Sequence, residues 1–523
     1  MTMVKKGKLL FFVTLIFGSI LLLFCFMFIY LHKDDLYQPF KITSPIGYPR
    51  LNISIRNTHS KIPASTTDIP KKKTIDKKIS EIKYSKTANK SVNTTTVVPA
   101  STNSIQRVLQ DLSTGSLKPK SNWYKTSQLI SRTSNCTTYF ETFPVFALQS
   151  KFVKGEEKKI LEQFPLAFSH MVHKDISIFE VFLSIYFRPD NFHCVHVDAK
   201  ASQDIRNAVE QLIKCYSDKT RMGSIAIIPK DESISVEHSK NSLLIADMRC
   251  HHKLLEYKSA SNKILWKYDL PIAGSELPIT SYARFHNKLS RGLQNDESSV
   301  ESFSVPPDNM KARFTKQQMS QARKIVSNNV ETLQFELSYN QTFNLTFQVF
   351  KGSRYIVLSA KDTEFVVNHP VSKFFFKWLQ QGTVTEEHFY STLIRFHIYS
   401  DTKTISQNTN RKTVRTHPGG LTFTEGNTLH GMCPHYTHWG CNACHGKCIN
   451  YICNFNQLDL HELDEDSNDC LIANKFNLDV DPAAVTTQLL KLLYKVCTDG
   501  DTCDSIIWNS YLKKTVALML KKA

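Results

Sequence analysis

The C-terminal three quarters of this 523-residue chain lack the basic excess that its overall composition shows. The formal net charge is +18, but residues 1–32 carry +3 and residues 33–130 carry +11, which leaves +4 for residues 131–523. The high isoelectric point therefore belongs to the N-terminal segment and not to a basic cleft in a folded domain. A nucleic-acid-binding function loses its main support, and we expect no nucleic-acid partner.

Charge is also absent from residues 9–31, an apolar run of 23 residues. Such a run is long enough to cross about 30 Å of hydrocarbon, and no small-residue cleavage site follows it. Lys5, Lys6 and Lys8 precede the run, so the positive-inside rule leaves residues 1–8 in the cytoplasm. We therefore expect a transmembrane signal anchor over residues 9–31 and a single-pass type II membrane protein whose remainder is lumenal.

Aromatic residues are few between residues 32 and 130, where Ser, Thr, Lys and Pro are common. A segment of this composition cannot bury enough apolar surface to fold, so it is expected to be a disordered lumenal stem. Residues 131–523 remain for the folded domain and are numerous enough for a substantial core.

The cysteines and the Asn-X-Ser/Thr sequons agree with a lumenal domain. Of 13 cysteines, Cys25 falls in the apolar run, and the even number that remains is expected to form disulfides in an oxidising compartment. Six sequons are candidate glycosylation sites. They are Asn52, Asn89, Asn93, Asn135, Asn340 and Asn344.

From residue 164 the chain alternates between strand and helix patterns. Strands are predicted at residues 166–172, 194–197 and 224–228, with helical periodicity over residues 178–186 and a helix capped by Ser202. This alternation predicts an α/β fold with a mainly parallel sheet that binds ligands beyond the carboxyl ends of its strands. Asp198 follows one such end, where it suits a ribose hydroxyl or a uracil edge, although a solvated turn aspartate is the plain alternative.

Two carboxylates follow Thr385 at a predicted helix start. Thr385 has the character of a cap, Glu386 and Glu387 occupy the first turn, and apolar residues recur behind them. A carboxylate held at this position could accept a proton from a substrate hydroxyl. The alternative is that both glutamates only cap the helix.

The segment KGSRYIVLS, followed by EEHFYSTL, resembles the KGSAYIVLS…DEHFWATL signature of the core 2/I-branching β-1,6-N-acetylglucosaminyltransferases, glycosyltransferase family 14, whose members include peptide O-xylosyltransferases. The resemblance implies a GT-A-like nucleotide-sugar-binding domain. It also implies that Glu387 is the catalytic base, with Glu386 in the place of the family's Asp.

Two further blocks extend the resemblance to the donor side. PLAFSHMVHKD…NFHCVHVD is similar to PIAYSIVVHHK…NFYCIHVD, which implies that Met171, Val172, His173 and Asp198 hold the uridine. The block LIANKFN…VDP is similar to LFANKFD…VDP, which implies that Lys475 neutralises the diphosphate.

Some positions depart from the family pattern. His238 stands where a donor-contacting Tyr is expected, Ala273 replaces a free cysteine, and Glu276 replaces an Asp. Asn450 stands where the family has a second phosphate-binding Arg, and Lys447 is a candidate substitute. These departures indicate a divergent member.

On the acceptor side, Glu301, Lys311 and Arg313 resemble a family segment that binds the acceptor sugar, although a charged surface loop explains them equally well. Tyr436 and Trp439 are candidates for the aromatic residues that stack on the acceptor.

The cysteine and histidine cluster at residues 433–453 has the spacing of a zinc site, with Cys441-x₂-Cys444 as its core. The resemblance implies disulfides instead: Cys136–Cys215, Cys194–Cys250 and Cys444–Cys453. The cysteines without an assignable family counterpart are Cys433, Cys441, Cys448, Cys470, Cys497 and Cys503.

Many glycosyltransferases hold a metal with Asp-x-Asp, but the family that this chain resembles does not. We therefore expect no metal cofactor and no metal site at Asp464-x-Asp466, Asp479-x-Asp481 or Asp499-x-Asp501. The sequence predicts a Golgi-resident inverting transferase that moves N-acetylglucosamine from UDP-GlcNAc to a glycan or glycoprotein in β-1,6 linkage. The alternatives are protein O-xylosyl transfer and a glycan-binding homologue with weakened catalysis.

Overall fold

The computed structural model describes residues 100–143, 164–293, 296–304, 307–327, 330–339, 343–401, 414–416, 422–424, 428–429, 433–465, 470–499 and 505–522. Within these ranges, no helix has both the length and the apolar character needed to cross a membrane. The predicted tail of residues 1–8 and the predicted anchor of residues 9–31 lie outside the described residues, as do Asn52, Asn89, Asn93 and Asn340.

The described chain mixes helices and strands throughout. The α-helices are α1 (Ala100–Ser113), α2 (Thr126–Thr133), α3 (Cys136–Thr142), α4 (Ile176–Tyr186), α5 (Gln203–Ser217), α6 (Ser242–Leu254), α7 (Tyr282–Gly292), α8 (Pro307–Lys311), α9 (Lys316–Ser320), α10 (Ala360–Asn368), α11 (Pro370–Leu379), α12 (Glu386–Asp401), α13 (Glu462–Glu465), α14 (Pro482–Asp499) and α15 (Ser505–Met519).

The strands are β1 (Leu117–Pro119), β2 (Leu166–Val172), β3 (Phe192–Val197), β4 (Ser224–Ile227), β5 (Tyr268–Ala273), β6 (Glu276–Pro278), β7 (Val300–Glu301), β8 (Phe303–Ser304), β9 (Ala322–Ser327), β10 (Val330–Tyr339), β11 (Phe343–Gln348), β12 (Phe350–Lys351), β13 (Leu358–Ser359), β14 (Val414–Thr416), β15 (Thr422–Thr424), β16 (Thr428–Leu429), β17 (Cys433–Thr437), β18 (Lys447–Ile449), β19 (Ile452–Asn454), β20 (Cys470–Asn474) and β21 (Leu520–Lys522). Asn344, a predicted glycosylation site, belongs to β11.

The central sheet has the strand order β13-β5-β2-β3-β4. Strands β5, β2, β3 and β4 are parallel, and the edge strand β13 is antiparallel to β5. Phe168 and Val172 of β2 belong to the same hydrophobic core as the apolar face of α4, whereas Ala167 and Met171 pack with residues of α6. Both faces are covered, so every residue of β2 is buried. The expected α/β fold with a mainly parallel sheet is confirmed.

A second, three-stranded sheet has the order β17-β20-β6. Strand β20 runs parallel to β17 and antiparallel to β6, where Asn474 pairs with Glu276. The amide of Phe476 donates to the carbonyl of Ser275 at 2.8 Å. This pairing fixes Lys475, which directly follows β20, beside the β5–β6 turn at the carboxyl edge of the central sheet.

Residues 100–130, assigned to the stem from their composition, are folded. Ile105 and Leu112 of α1, together with Trp123 and Leu129, are buried in the main core. Strand β1 pairs antiparallel with β21, and the amide of Lys120 donates to the carbonyl of Met519 at 2.7 Å. The predicted boundary near residue 131 is therefore wrong. An amphipathic helix with few apolar residues is buried here by partners that lie almost 400 residues further along the chain.

Five disulfides cross-link the described residues. They are Cys136–Cys215, Cys194–Cys250, Cys433–Cys470, Cys441–Cys448 and Cys444–Cys453. Three of them are the pairs that the family resemblance implies. Cys503 and the side chain of Cys497 lie outside the described part of the chain.

Candidate active site

Two strand ends of the central sheet meet at Asp198. Strands β2 and β3 end side by side, and the amide of Asp198 donates to the carbonyl of Val172 at 2.8 Å. The Asp198 carboxylate is 6% exposed and accepts from the amides of Lys200 at 2.7 Å and Val236 at 3.3 Å. Asp198 therefore organises two loops at the sheet edge, which is the turn role that the sequence left open. This role also holds the carboxylate at the edge where a ligand would bind.

Basic side chains gather at the same edge. Desolvation, followed by the charge of Lys174, lowers the pKa of His173 below its usual value, while Asp198 opposes the shift and Lys475 adds to it. Desolvation and then Lys174 likewise lower the pKa of Lys475, whereas Glu276 and Asp175 raise it. The structure thus brings together the predicted donor-binding residues His173, Asp198 and Lys475, with Met171 and Val172 buried in the strand beneath them.

Buried polar residues support the strand that precedes Lys475. Glu276 accepts from the amide of Ala273 at 2.8 Å, and its carboxylate lies 3.3 Å from Nε2 of His435, with both side chains fully buried. The ring of Tyr355 lies against His435, and its hydroxyl accepts from Nδ2 of Asn474 at 2.7 Å. These contacts fix the position of β20 and hence the position of Lys475, which follows it, at the carboxyl edge of the central sheet.

Glu387 lies in the first turn of α12, as the sequence predicts. Its Oε2 accepts from Nη1 of Arg313 at 2.5 Å and lies 3.5 Å from Nζ of Lys351. The side chain is 24% exposed, so the carboxylate can be reached from solvent. Its backbone carbonyl accepts from the amide of Gly352 at 2.8 Å, which ties α12 to the segment that carries Lys351.

The turn before α12 is unusual. Val384 has φ 51°, a left-handed conformation that a β-branched residue rarely adopts, and its carbonyl accepts from the amide of Glu387 at 3.2 Å. The Thr385 carbonyl accepts from the amides of His388 and Phe389, but its buried hydroxyl has no hydrogen-bond partner among the described residues. The predicted side-chain cap by Thr385 is therefore wrong, and backbone geometry forms this helix start instead.

Glu386 differs sharply from its neighbour. It is 8% exposed, and its Oε2 has no hydrogen-bond partner in the described part of the chain. Desolvation raises its pKa to about 7, a hydrogen bond to its own backbone and the charge of Arg354 oppose the shift, and Glu387 and Asp247 add to it. Of the two carboxylates, Glu387 is the one placed to meet a substrate.

Glu301 and Arg313 are brought to Glu387, whereas Lys311 is not. Desolvation raises the pKa of Glu301, Ser353 and Lys351 oppose the shift, and Glu387 adds to it, which shows that these groups face one another. Lys311 is exposed and pairs with Asp308 at 2.7 Å within α8. The structure thus separates Lys311 from the other two predicted acceptor residues.

Tyr436 and Trp439 differ in accessibility. Tyr436 is 5% exposed, and its hydroxyl donates to Glu462 at 2.9 Å, so its ring is not available to stack on an acceptor. Trp439 is partly exposed and forms an isolated bridge with Ile452. Of the two rings, that of Trp439 is the accessible one, and its role in stacking on an acceptor stays a prediction.

The segment that precedes β13 contains three residues near the site that were not predicted as functional: Lys351, Arg354 and Tyr355. Arg354 forms a bidentate pair with Asp247, at 2.7 and 3.0 Å, and Lys351 contacts Glu387. Arg354 stands at the alanine of the KGSAYIVLS signature, and this replacement of a small apolar residue by a charged one was the signal that could have revealed it. With Tyr355 bonded to Asn474, the short segment 351–355 connects the surroundings of Glu387 to the strand before Lys475.

Asp464, Asp479 and Asp481, considered as metal ligands, have other partners, whereas Asp466, Asp501 and the side chain of Asp499 lie outside the described residues. Asp481 accepts from the amides of Gln457 and Ala483, Asp479 pairs with Lys174 and Asp464 pairs with Lys491. Within the described ranges, one group of three possible ligands approaches metal-site geometry, Cys444, Cys453 and Asp459, and its two thiols are joined in a disulfide. The cysteine cluster therefore offers no free thiolate pair for zinc.

Comparison with known proteins identifies the family. Residues 166–464 match the family described as Core-2/I-Branching enzyme, and the chain belongs to this family. It is 27% identical over 291 residues to a human β-1,3-galactosyl-O-glycosyl-glycoprotein β-1,6-N-acetylglucosaminyltransferase 3, covering 56% of this chain and 59% of that protein. It is 29% identical over 270 residues to the mouse enzyme numbered 4 in the same series, covering 51% of this chain and 53% of the relative.

The chain thus spans a little over half the length of these curated relatives. A solved structure of the yeast mannosyltransferase Ktr4p in complex with GDP shares 11% identity, covering 56% of this chain and 80% of that chain. Its TM-score is 0.22, which is too low to support an argument.

Proposed function

We propose that the chain is an inverting glycosyltransferase that moves N-acetylglucosamine from UDP-GlcNAc to a glycan or glycoprotein acceptor in β-1,6 linkage. Membership of the Core-2/I-Branching enzyme family and the activities for which the human and mouse relatives are named support this reaction. The proposal also includes a GT-A-like domain that binds the nucleotide sugar at the carboxyl edge of the central sheet.

The placement of Glu387 carries the proposal. Its partly exposed carboxylate stands between Arg313 and Lys351, with Glu301 close by. In the reaction, Glu387 takes the proton of the acceptor hydroxyl while that oxygen attacks the anomeric carbon from the face opposite UDP. One base and one displacement suffice, so no covalent intermediate forms and the anomeric configuration inverts. The acceptor must reach a carboxylate that Arg313 holds in the ligand-free protein.

We assign to Lys475 the stabilisation of the leaving group. UDP departs with additional negative charge, and a fixed ammonium stabilises that charge without reorganisation. Lys475 is half-buried and its pKa is lowered, so bringing an anion to it offsets the unfavourable desolvation of its charge. In this mechanism protein cations take the place of a metal, and no metal cofactor is required.

We extend the proposal to cellular placement. The apolar run over residues 9–31 anchors the chain in the Golgi membrane as a single-pass type II protein, with the catalytic domain in the lumen. The five disulfides suit this oxidising compartment, and the six sequons are its glycosylation sites.

A second candidate, a glycan-binding homologue with weakened catalysis, is favoured by Asn450. This residue has φ 52° and Tyr451 has φ 62°, so the two form the tip of the β18–β19 hairpin, where an exposed amide replaces the family's Arg. Lys447, the candidate substitute, is exposed in the same hairpin. Xylosyl transfer to protein serine remains the alternative reaction within the family.

The test measures transfer by the 523-residue chain from UDP-GlcNAc and UDP-xylose to a panel of defined acceptors, with and without a chelator. We expect Glu387→Gln to lower turnover by about 10²–10⁴ while UDP binding persists, because the base is lost and the donor site is intact. The matched control is Glu210→Gln, an exposed glutamate on α5. Normal transfer by Glu387→Gln would contradict the base assignment, and loss of transfer with chelator would contradict metal independence. If the unsubstituted protein (the parent) binds sugar nucleotides without turnover, the glycan-binding candidate is favoured.

A further inference from the structure

Three lysines reach the carboxyl edge of the central sheet from three separate segments. Lys174 follows β2, Lys200 follows β3 and Lys475 follows β20. Desolvation lowers the pKa of His173, the charges of all three lysines add to that shift and Asp198 opposes it, which favours the neutral imidazole among them. The edge therefore presents ammonium groups around a neutral ring, an arrangement that suits an anion.

Lys200 and Lys174 are held in different ways. Nζ of Lys200 donates to the carbonyl of Val236 and lies 4.0 Å from Asp198, so it belongs to the loop that Asp198 organises. Nζ of Lys174 lies 3.3 Å from Asp479 and 3.6 Å from Asp175. Asp479 follows Lys475 by four residues, so this ion pair draws Lys174 toward the segment that carries Lys475.

The ion pair between Lys174 and Asp479 is weak enough for an anionic ligand to replace Asp479. Asp479 is 80% exposed and Lys174 is 42% exposed, so their attraction is screened by water and contributes little to stability. The charge of Lys174 is nevertheless the largest contribution after desolvation to the lowered pKa of Lys475, which places the two ammonium groups near each other. A ligand with two linked negative groups would relieve that repulsion and replace an exposed carboxylate as the partner of Lys174.

A nucleoside diphosphate has this character, because its two phosphates carry their charges on adjacent groups. Asn450 supplies no charge at the tip of its hairpin. Resting on the function proposed above, we propose that Lys174 is the second diphosphate-binding cation of this site and acts with Lys475 on the departing nucleoside diphosphate. Asp479 is the exposed partner that the ligand displaces from Lys174.

The experiment compares UDP, uridine and inorganic pyrophosphate by titration calorimetry on the 523-residue chain. Lys174→Ala is expected to weaken UDP and pyrophosphate binding about tenfold, since one charge-assisted contact is lost, and to leave uridine binding unchanged. Lys174→Arg should restore most of the loss. Lys214→Ala, which removes an exposed lysine in the last turn of α5, is the control of equal charge and should bind like the parent.

Each outcome decides between the explanations. Equal weakening of UDP and uridine would show that Lys174 only supports the β2–α4 turn, and unchanged UDP binding would also overturn the proposal. Both of these results leave the proposed transferase function intact. A third outcome is that the parent binds pyrophosphate but not UDP, and that Lys174→Ala abolishes the pyrophosphate binding. In that case the anion site is supported and the donor assignment fails. If the parent binds neither anion, both proposals fail.

Discussion

The buried carboxyl group of Glu386 predicts a specific dependence of stability on pH. Desolvation raises its pKa from an ordinary value of 4.5 to about 7. The folded protein therefore binds this proton more tightly than the unfolded chain does. Raising the pH through the interval from about 4.5 to about 7 ionises the group and destabilises the fold.

The magnitude follows from the two pKa values. A difference of about 2.5 in pKa corresponds to about 3 kcal/mol of unfolding free energy, since each pKa unit is equivalent to about 1.4 kcal/mol. The side chain is 8% exposed, so solvent screens little of this. Glu386→Gln keeps the shape and removes the ionisation. Because part of this effect is already present at pH 5, we expect the stability of the variant relative to the parent to rise by about 2.5 kcal/mol between pH 5 and pH 8.

The assay is urea unfolding of parent and variant at pH 5, 6, 7 and 8, with disulfides kept oxidised. Only the difference at each pH is informative, because buried histidines act in the opposite direction. Burial lowers the pKa of His193 to about 3 and that of His388 to about 4, so both proteins lose stability as the pH falls below about 6.5. Parallel pH curves for parent and Glu386→Gln would refute the reasoning, and Glu210→Gln should give such parallel curves.

Two further predictions concern the surroundings of Glu387. Arg313→Ala should lower acceptor kcat/KM at saturating donor by at least about tenfold, because a charge-assisted contact is lost, while Lys311→Ala, which removes an exposed pair with Asp308, should stay within about twofold. Equal effects of the two substitutions would contradict the separation of these residues. Gly352→Ala places a Cβ 1.9 Å from the carbonyl of Glu301 and should cost about 3 kcal/mol or more in unfolding free energy. Gly115→Ala, with φ 76° and open space around it, should cost only about 1 kcal/mol, and similar losses at both glycines would argue against the close approach.

Local sequence signals predicted the centre of the fold well. Strand β2 is a run of seven buried residues whose bounds match the predicted ones, and the Ser202 hydroxyl accepts from the amide of Ile205 as a cap should. Such features depend on residues within a few positions of one another. The folding of α1 and β1 depends instead on β21 and α15 at the far end of the chain, which composition cannot indicate.

At the candidate active site, too, local patterns were predicted and contacts between distant residues were not. The local cap and charge pattern placed Glu387 at a helix start, and the family resemblance singled out Lys475, whose position at the end of β20 the structure supplies. The contact between Arg313 and Glu387 joins residues 74 positions apart, and no periodicity indicates it. Burial of Tyr436 was missed for a related reason, since its partner Glu462 lies on a different element.

Glu386 and Glu387 show why environment, rather than residue type, assigns the roles. Both belong to the first turn of α12, near the positive end of the helix dipole. The Glu386 side chain turns inward, where burial favours the protonated form, and the Glu387 side chain turns outward to Arg313 and Lys351. A general base must present a carboxylate to its substrate, which favours Glu387 over Glu386 for the base role proposed above. The pairing with two cations also means that an acceptor hydroxyl must compete for this carboxylate, and we expect acceptor binding and base activation to be a single event.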